Sequence, residues 1–310
     1  MKVGIVGTGA VGAACALAMI ARGVAREIRL VDRTRARAKA VAADMSYGAP
    51  LSPAVDVRCG DYDDLAGAAL VVVTVGVNEK TGGATDRDDP SGRLKLLDTN
   101  ARIYEDVIPR VVRAARDAVL LVVSDPPDPL ADVAREIAEH DRVMGTGTLL
   151  DSLRFRVHLA RQLGVGPQAV AADVLGEHGT SEVFVWSQAR VAGTPVLREL
   201  ERRGLDAGAF RAQIEHEVRF ANISIIEGIG ASQYGIGLVT ARIAQAVLRD
   251  ERAVLPIGSH HPRYGVTFSL PSVVGAEGVL EVLEPELSDD ECDGLARSAE
   301  ALVKVRERVG

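Results

Sequence analysis

The tightest constraint on folding lies in the first twenty residues. Lys2 to Val6 is an apolar run that leads directly into Gly7-Thr8-Gly9-Ala10-Val11-Gly12, and the stretch from Ala13 to Ala21 is rich in alanine and leucine. A strand, a glycine turn and a helix in that order form the GxGxxG signature of a dinucleotide-binding fold. Gly7 supplies the tight turn, Gly9 lets a pyrophosphate approach the backbone, and Gly12 lets the helix lie against the strand. Ala10 and Val11 open that helix, whose unpaired N–H groups and positive dipole end face the phosphates. Glu27 to Val31 reads as the second strand, and Asp32 follows twenty residues after Gly12. A carboxylate there can hold both ribose hydroxyls and repels a 2′-phosphate, so the cofactor expected is NAD rather than NADP. Arg33 stands beside it and is read as solvent-facing.

The same alternation continues. Arg33 to Met45 is helical in composition, and Ala69 to Val75 and Ala118 to Val123 are apolar and β-branched, as strands covered on both faces are. These units predict an α/β fold with a Rossmann-type, doubly wound parallel sheet. Beyond Met144-Gly145-Thr146-Gly147 the pattern changes. Helices are expected over Asp151 to Leu163, Arg211 to Ala231 and Ile236 to Arg249, with antiparallel strands within Ala169 to Val196 and Tyr264 to Leu283. The expected division is a cofactor domain over 1–145 and an α+β substrate domain over 146–310. The amphipathic stretches Ala13 to Arg22 and Arg211 to Ile226 suit either a core or an interface between subunits. The polar, glycine- and aspartate-rich segment Glu79 to Gly92 reads as a long mobile loop.

Composition narrows the function. The net charge of −7 argues against a nucleic-acid partner. Three cysteines, Cys15, Cys59 and Cys292, without CxxC spacing argue against a disulfide framework or a zinc site and suit the cytoplasm. The N-terminal apolar run is broken by glycines and lacks a basic leader, so no membrane partner is expected; the His260-His261 pair shows no partner ligand, so no metal is expected.

One histidine stands apart. Leu175-Gly176-Glu177-His178-Gly179-Thr180-Ser181 puts His178 in a glycine-flanked turn, and imidazole is the natural proton carrier near neutral pH. His140, His158, His216, His260 and His261 have no such company and are read as structural. In Leu150-Asp151-Ser152-Leu153-Arg154-Phe155-Arg156, Asp151 and Arg154 lie three apart on one helix face. A carboxylate can fix a histidine's tautomer, and an arginine can grip a substrate carboxylate with two hydrogen bonds. The same spacing also fits a solvated ion pair.

With these blocks the chain resembles the L-lactate/malate dehydrogenase family, closer to its lactate-dehydrogenase-like branch. GTGAVG, the LVD ending at Asp32, LDSLRFR, LGEHGTSEV, EGIGASQYGIG from Glu227 and FSLPSVVGAEGV from Phe268 follow the family's order nearly end to end. The resemblance implies hydride transfer between NAD and a 2-hydroxy/2-oxo acid, in a homodimer or homotetramer. It makes His178 the acid/base catalyst, Asp151 its orienting carboxylate and Arg154 the ligand of the substrate carboxylate. It makes Arg93, with Arg87 as the alternative, the lid arginine that polarises the carbonyl in an active-site loop spanning 76–93. Gly76 and Asn100 would contact the cofactor, and Ser232 keeps a hydroxyl where the family carries threonine.

Three departures bear on the substrate. Glu79 occupies the position that selects the substrate and would repel a second carboxylate, which disfavours malate. Asp125, in Val123-Ser124-Asp125-Pro126-Pro127-Asp128, replaces an asparagine that touches substrate and nicotinamide, and an ionised aspartate only accepts hydrogen bonds. The loop carries an insertion with Asp86, Asp88 and Asp89. Together these predict a larger, cationic or donor-bearing 2-oxo acid as substrate. The alternatives are an ordinary L-lactate dehydrogenase and an NAD-binding, non-catalytic paralogue.

Overall fold

A computed structural model describes residues 1–82, 85–86 and 95–309. The N-terminal half runs β1 (Lys2–Val6), α1 (Ala10–Arg22), β2 (Glu27–Val31), α2 (Arg35–Gly48), β3 (Asp56–Cys59), β4 (Ala68–Val73), α3 (Glu79–Gly82), α4 (Leu97–Ala114), β5 (Val119–Val122), α5 (Pro127–Ala138) and β6 (Val143–Gly145). It continues with α6 (Leu149–Leu163), five two-residue strands β7 (Val170–Ala171), β8 (Val174–Leu175), β9 (Val183–Phe184), β10 (Arg190–Val191) and β11 (Thr194–Pro195), and helices α7 (Val196–Arg202), α8 (Ala207–Arg219), α9 (Ala221–Ile229) and α10 (Tyr234–Leu248). Three longer strands, β12 (Ala253–His261), β13 (Val266–Gly275) and β14 (Gly278–Val282), precede the last helix, α11 (Asp289–Val309).

Among the described residues, nine strands share one sheet in the order β14-β13-β12-β6-β5-β4-β1-β2-β3. The six N-terminal strands are parallel. The sheet does not stop at residue 145: β12 pairs antiparallel with β6 through Gly258 and Gly145 and carries β13 and β14 beyond it. The antiparallel strands expected in the second half therefore extend the first sheet, and β7 to β11 form two small sheets of their own.

The central parallel strands β1, β4, β5 and β6 are buried on both faces, which is why their sequences show no alternation. Leu70 and Val72 of β4 pack towards α1 and α10, while Val71 and Val73 pack towards α4 and α5. Chain order reverses between β1 and β4, the point where ligands bind beyond the carboxyl ends of an open α/β sheet. Thr74 follows β4 there; its N–H donates to Val6 O at 2.9 Å and its hydroxyl to Gly7 O at 2.8 Å.

The region read as one helix over Arg211 to Ala231 is two. Asp206 caps α8 by accepting from the N–H groups of Gly208 and Ala209, and the chain leaves helical geometry at Phe220 (φ −104°, ψ 9°) before α9 starts. Phe210, Ile214 and Val218 of α8 pack around Phe155 and Trp186, while α9 turns a different face inward.

Gly237 on α10 earns its place by contact. A Cβ there would lie 2.8 Å from the backbone of Ala14, so α1 and α10 touch through bare backbone. Gly237→Val is expected to destabilise the protein by about 1–3 kcal/mol through overpacking, seen as a lowered Tm; an unchanged Tm would contradict this close packing.

Candidate active site

The glycine turn has the local geometry that phosphate approach requires. Gly7 has φ +100°, and a Cβ on Gly12 would meet Gly7 O at 2.0 Å and Thr74 Oγ1 at 2.7 Å. Around Gly9 a Cβ would meet nothing within 4 Å, so the backbone faces open space at the N-terminus of α1. Asp32, at the end of β2, accepts from Thr8 N at 2.7 Å, the Thr8 hydroxyl at 2.9 Å and Thr34 N at 2.8 Å. Burial raises its pKa, but those hydrogen bonds, with Arg37 nearby, outweigh it and hold the carboxyl below its usual range. An acid hydrogen-bonded to Thr8 of a bare glycine cradle fits NAD: Gly7, Gly9 and Gly12 with α1 would hold its pyrophosphate and Asp32 its ribose.

A cleft of about 200 Å³ opens beside this cradle. Its lining includes Gly9, Ala10, Val11 and Gly76 from the cofactor side, and Asp125, Arg154, His178 and Ser232 from the substrate side. Residues far apart in sequence thus share one cavity. His178 Nδ1 meets Asp151 Oδ2 at 2.5 Å, and Arg154 donates to Asp151 Oδ1 at 2.7 Å. The i,i+3 pair is therefore no solvated ion pair: Asp151 is 1% exposed and serves both partners.

Local tethers set that distance. Asp151 lies in the first turn of α6, where the helix dipole favours a carboxylate. Ser152 Oγ accepts from Val174 N at 2.9 Å, and the Thr148 hydroxyl donates to Val174 O at 2.5 Å, tying α6 to β8. β8 leads into Gly176, which is bridged to Ser269 by a pair of 2.9 Å backbone hydrogen bonds and has φ +86°. His178 follows, its N–H donating to Asp128 Oδ2 at 2.7 Å. Burial drives the Asp128 carboxyl well above its usual pKa; the His178 N–H opposes this, and Glu177, Asp132 and Asp125 add to it.

Several expected residues stand elsewhere. Asn100 is fully buried and clamps two loops: its Oδ1 accepts from Val77 N at 2.8 Å and its Nδ2 donates to Asp125 O at 2.8 Å. Its amide supports the walls of the cleft rather than lining it. Arg93, Arg87, Asp88 and Asp89 lie outside the described residues, as does the Glu79 side chain. The segment read as loop from Glu79 begins as the helical turn α3, with Asn78 Oδ1 accepting from Thr81 N at 2.9 Å. The remaining histidines have structural partners: His158 pairs with Glu217 at 2.8 Å, His260 with Asp132 at 3.2 Å, and the His216 and His261 rings pack at a tilt against Phe220 and Tyr264. His140 Nδ1 accepts from Arg142 N at 3.2 Å. Sequence reasoning missed Asn222, a buried lining residue of the cleft; inside a stretch read as continuous helix it carried no separate signal.

The NAD-binding-domain model of lactate/malate dehydrogenase matches residues 1–145, and the alpha/beta C-terminal-domain model of lactate/malate dehydrogenase matches residues 148–309. The chain belongs to the lactate/malate dehydrogenase family. It is 46% identical to the L-lactate dehydrogenase of Deinococcus radiodurans and 43% identical to that of Thermus aquaticus, each alignment covering all of both chains. Among solved structures, it is similar to the ligand-bound minor L-lactate dehydrogenase of Enterococcus mundtii, with a TM-score of 0.91 and 35% identity over 100% of this chain and 98% of that one. The chain is accordingly an NAD-dependent oxidoreductase acting on a CH–OH group.

Because Gly9 borders open space, Gly9→Val is expected to leave Tm unchanged. Its branched side chain should weaken NADH binding about tenfold or more, a loss of ~1.4 kcal/mol, in a fluorescence titration. Unaltered affinity would place the pyrophosphate elsewhere.

Proposed function

We propose that this protein is an L-lactate dehydrogenase, interconverting pyruvate and L-lactate with NAD. The observation that carries the proposal is the Asp151 carboxylate shared by His178 and Arg154 beneath a cleft that continues into the dinucleotide cradle. NAD, when bound, supplies or takes up the hydride. His178 gives the proton to the oxygen of the 2-oxo group during reduction and takes it back during oxidation. Asp151 holds the imidazole through Nδ1, which leaves Nε2 for the substrate. Arg154 grips the substrate carboxylate with its remaining N–H groups. Arg93 is proposed as the lid residue that polarises the carbonyl, and Ser232 and Asp125 as substrate contacts.

Charge favours a monocarboxylate. Among the described lining residues Arg154 is the only permanent cation, and Asp125 adds a carboxyl group to the same wall. A second substrate carboxylate would meet no counter-ion there, and Glu79 is proposed to repel it further. The larger or cationic substrate expected from the loop has less support than pyruvate, since relatives covering the whole chain are L-lactate dehydrogenases.

Residues 1–145 are read as the cofactor domain and 146–310 as the substrate domain. We place the enzyme in the cytoplasm as a homodimer or homotetramer. Exposed Leu17 of α1, Tyr47 of α2, and Tyr234 and Leu238 of α10 support self-association. No helix among the described residues is long and apolar enough to cross a membrane.

NADH oxidation across 2-oxo acids tests the reading. Pyruvate should exceed oxaloacetate and every bulky or cationic 2-oxo acid in kcat/KM, and His178→Ala should lower kcat by about 10²-fold or more while NADH still binds. Preference for a bulky or cationic acid would restore the larger-substrate reading. An undiminished kcat in His178→Ala would remove the assigned proton carrier.

A further inference from the structure

Asp125 is the only acidic residue among the described residues that line the cleft. The reaction as drawn above uses Asp151 for His178 and Arg154, and gives this second carboxyl no part in moving hydride or proton. Its place is fixed. Its own carbonyl accepts from Asn100 Nδ2 at 2.8 Å, and the neighbouring Ser124 hydroxyl donates to Val75 O at 2.5 Å. The chain leaving β5 is thereby held against the chain leaving β4. Val75 and Asp125 line the same cleft, with Val123, Leu150 and Ile236 as apolar neighbours.

The chemistry says what passes this wall. On the dehydrogenase reading above, which this inference rests on, the pyrophosphate lies at Gly9 and the substrate oxygen at His178 Nε2. Hydride crosses only where the nicotinamide reaches the carbon bearing that oxygen, so the ring belongs in the stretch of cleft between the glycine cradle and His178. Asp125 faces that same space of about 200 Å³. The ring is a cation in NAD and neutral in NADH. A carboxylate in a partly apolar cleft therefore acts on one oxidation state only, and it acts through space, so it needs no contact with the ring. The cation nearest in kind, Arg154, is paired with Asp151 at 2.7 Å and takes the substrate carboxylate. The amide of an asparagine in place of Asp125 would carry no such bias.

We propose that Asp125 is a specificity-determining residue for the oxidation state of the cofactor, its carboxylate strengthening the hold on NAD relative to NADH. The reaction balances as before. In pyruvate reduction the C2–O π bond breaks as hydride from NADH adds to C2 and the His178 proton adds to the oxygen, and positive charge develops on the ring beside Asp125. NAD then inhibits pyruvate reduction at lower concentrations than it would with an uncharged residue at this position.

Calorimetric titration of the wild-type enzyme and its variants with NAD and with NADH tests this. In Asp125→Asn, Kd(NAD)/Kd(NADH) should rise about tenfold, while in Asp125→Glu, which restores the charge, it should stay within about threefold of wild type. Asp125→Ser supplies a second uncharged side chain should Asp125→Asn fail to fold. NAD and NADH share their pyrophosphate and adenosine, so a general loss of cofactor binding cancels in the ratio. A ratio unchanged in the uncharged variants, or raised equally in Asp125→Glu, overturns the role of the charge, while pyruvate turnover by the wild-type enzyme still upholds the dehydrogenase reading. A wild-type enzyme that binds neither form and does not reduce pyruvate overturns that reading, and this inference with it.

Discussion

Asp151 is taken out of water, and a buried carboxylate is stable only where donors replace its lost hydration. Here the donors are the two groups on which the site depends, the His178 ring at one oxygen and the Arg154 guanidinium at the other. The pairing orients both partners and fixes their separation. It requires that the first turn of α6 and the loop after β8 stay in register, and the contacts of Thr148 and Ser152 with Val174 supply that. Ser269 of β13 completes the frame by pairing with Gly176 and accepting, through its hydroxyl, the N–H of Thr148 at 3.0 Å. The continuous sheet therefore bears on function: β12 and β13 join the cofactor strands at Gly258–Gly145, so both halves of the site hang from one framework.

The surroundings are acidic. Asp125 lines the cleft, Asp128 holds the His178 backbone, and Glu177 and Asp132 stand near enough to raise the Asp128 pKa further. Among the described residues lining the cleft, that surplus surrounds one permanent cation, Arg154, in keeping with the proposed monocarboxylate substrate. The global charge of −7 carried no such meaning until these residues were located.

Much of this was legible from residue order. Strands Lys2–Val6 and Glu27–Val31 follow from short apolar runs, and Gly7, Gly9, Gly12 and Asp32 from a spacing with a mechanical reason at every position. His178, Asp151 and Arg154 were singled out by their neighbours, but 27 residues separate His178 from Asp151 and no spacing rule brings them to contact. Helix α4 escaped notice although Leu97, Ala101, Tyr104, Val107, Ile108 and Val111 repeat with helical period; it runs unbroken through Pro109, a residue that ordinarily disfavours a helix interior. The prolines opening α5 disguised its start in the same way. Asn100 was read towards the cofactor; its amide instead joins two backbone loops, a pairing that only tertiary structure reveals.

The most direct test of the shared carboxylate is the kinetics of Asp151→Asn, which keeps the shape and removes the charge. With pyruvate and NADH, kcat/KM should fall by about 10²-fold or more, as the imidazole loses its orienting partner, while the affinity for NADH is retained. A kcat/KM equal to that of the wild-type enzyme would contradict the account.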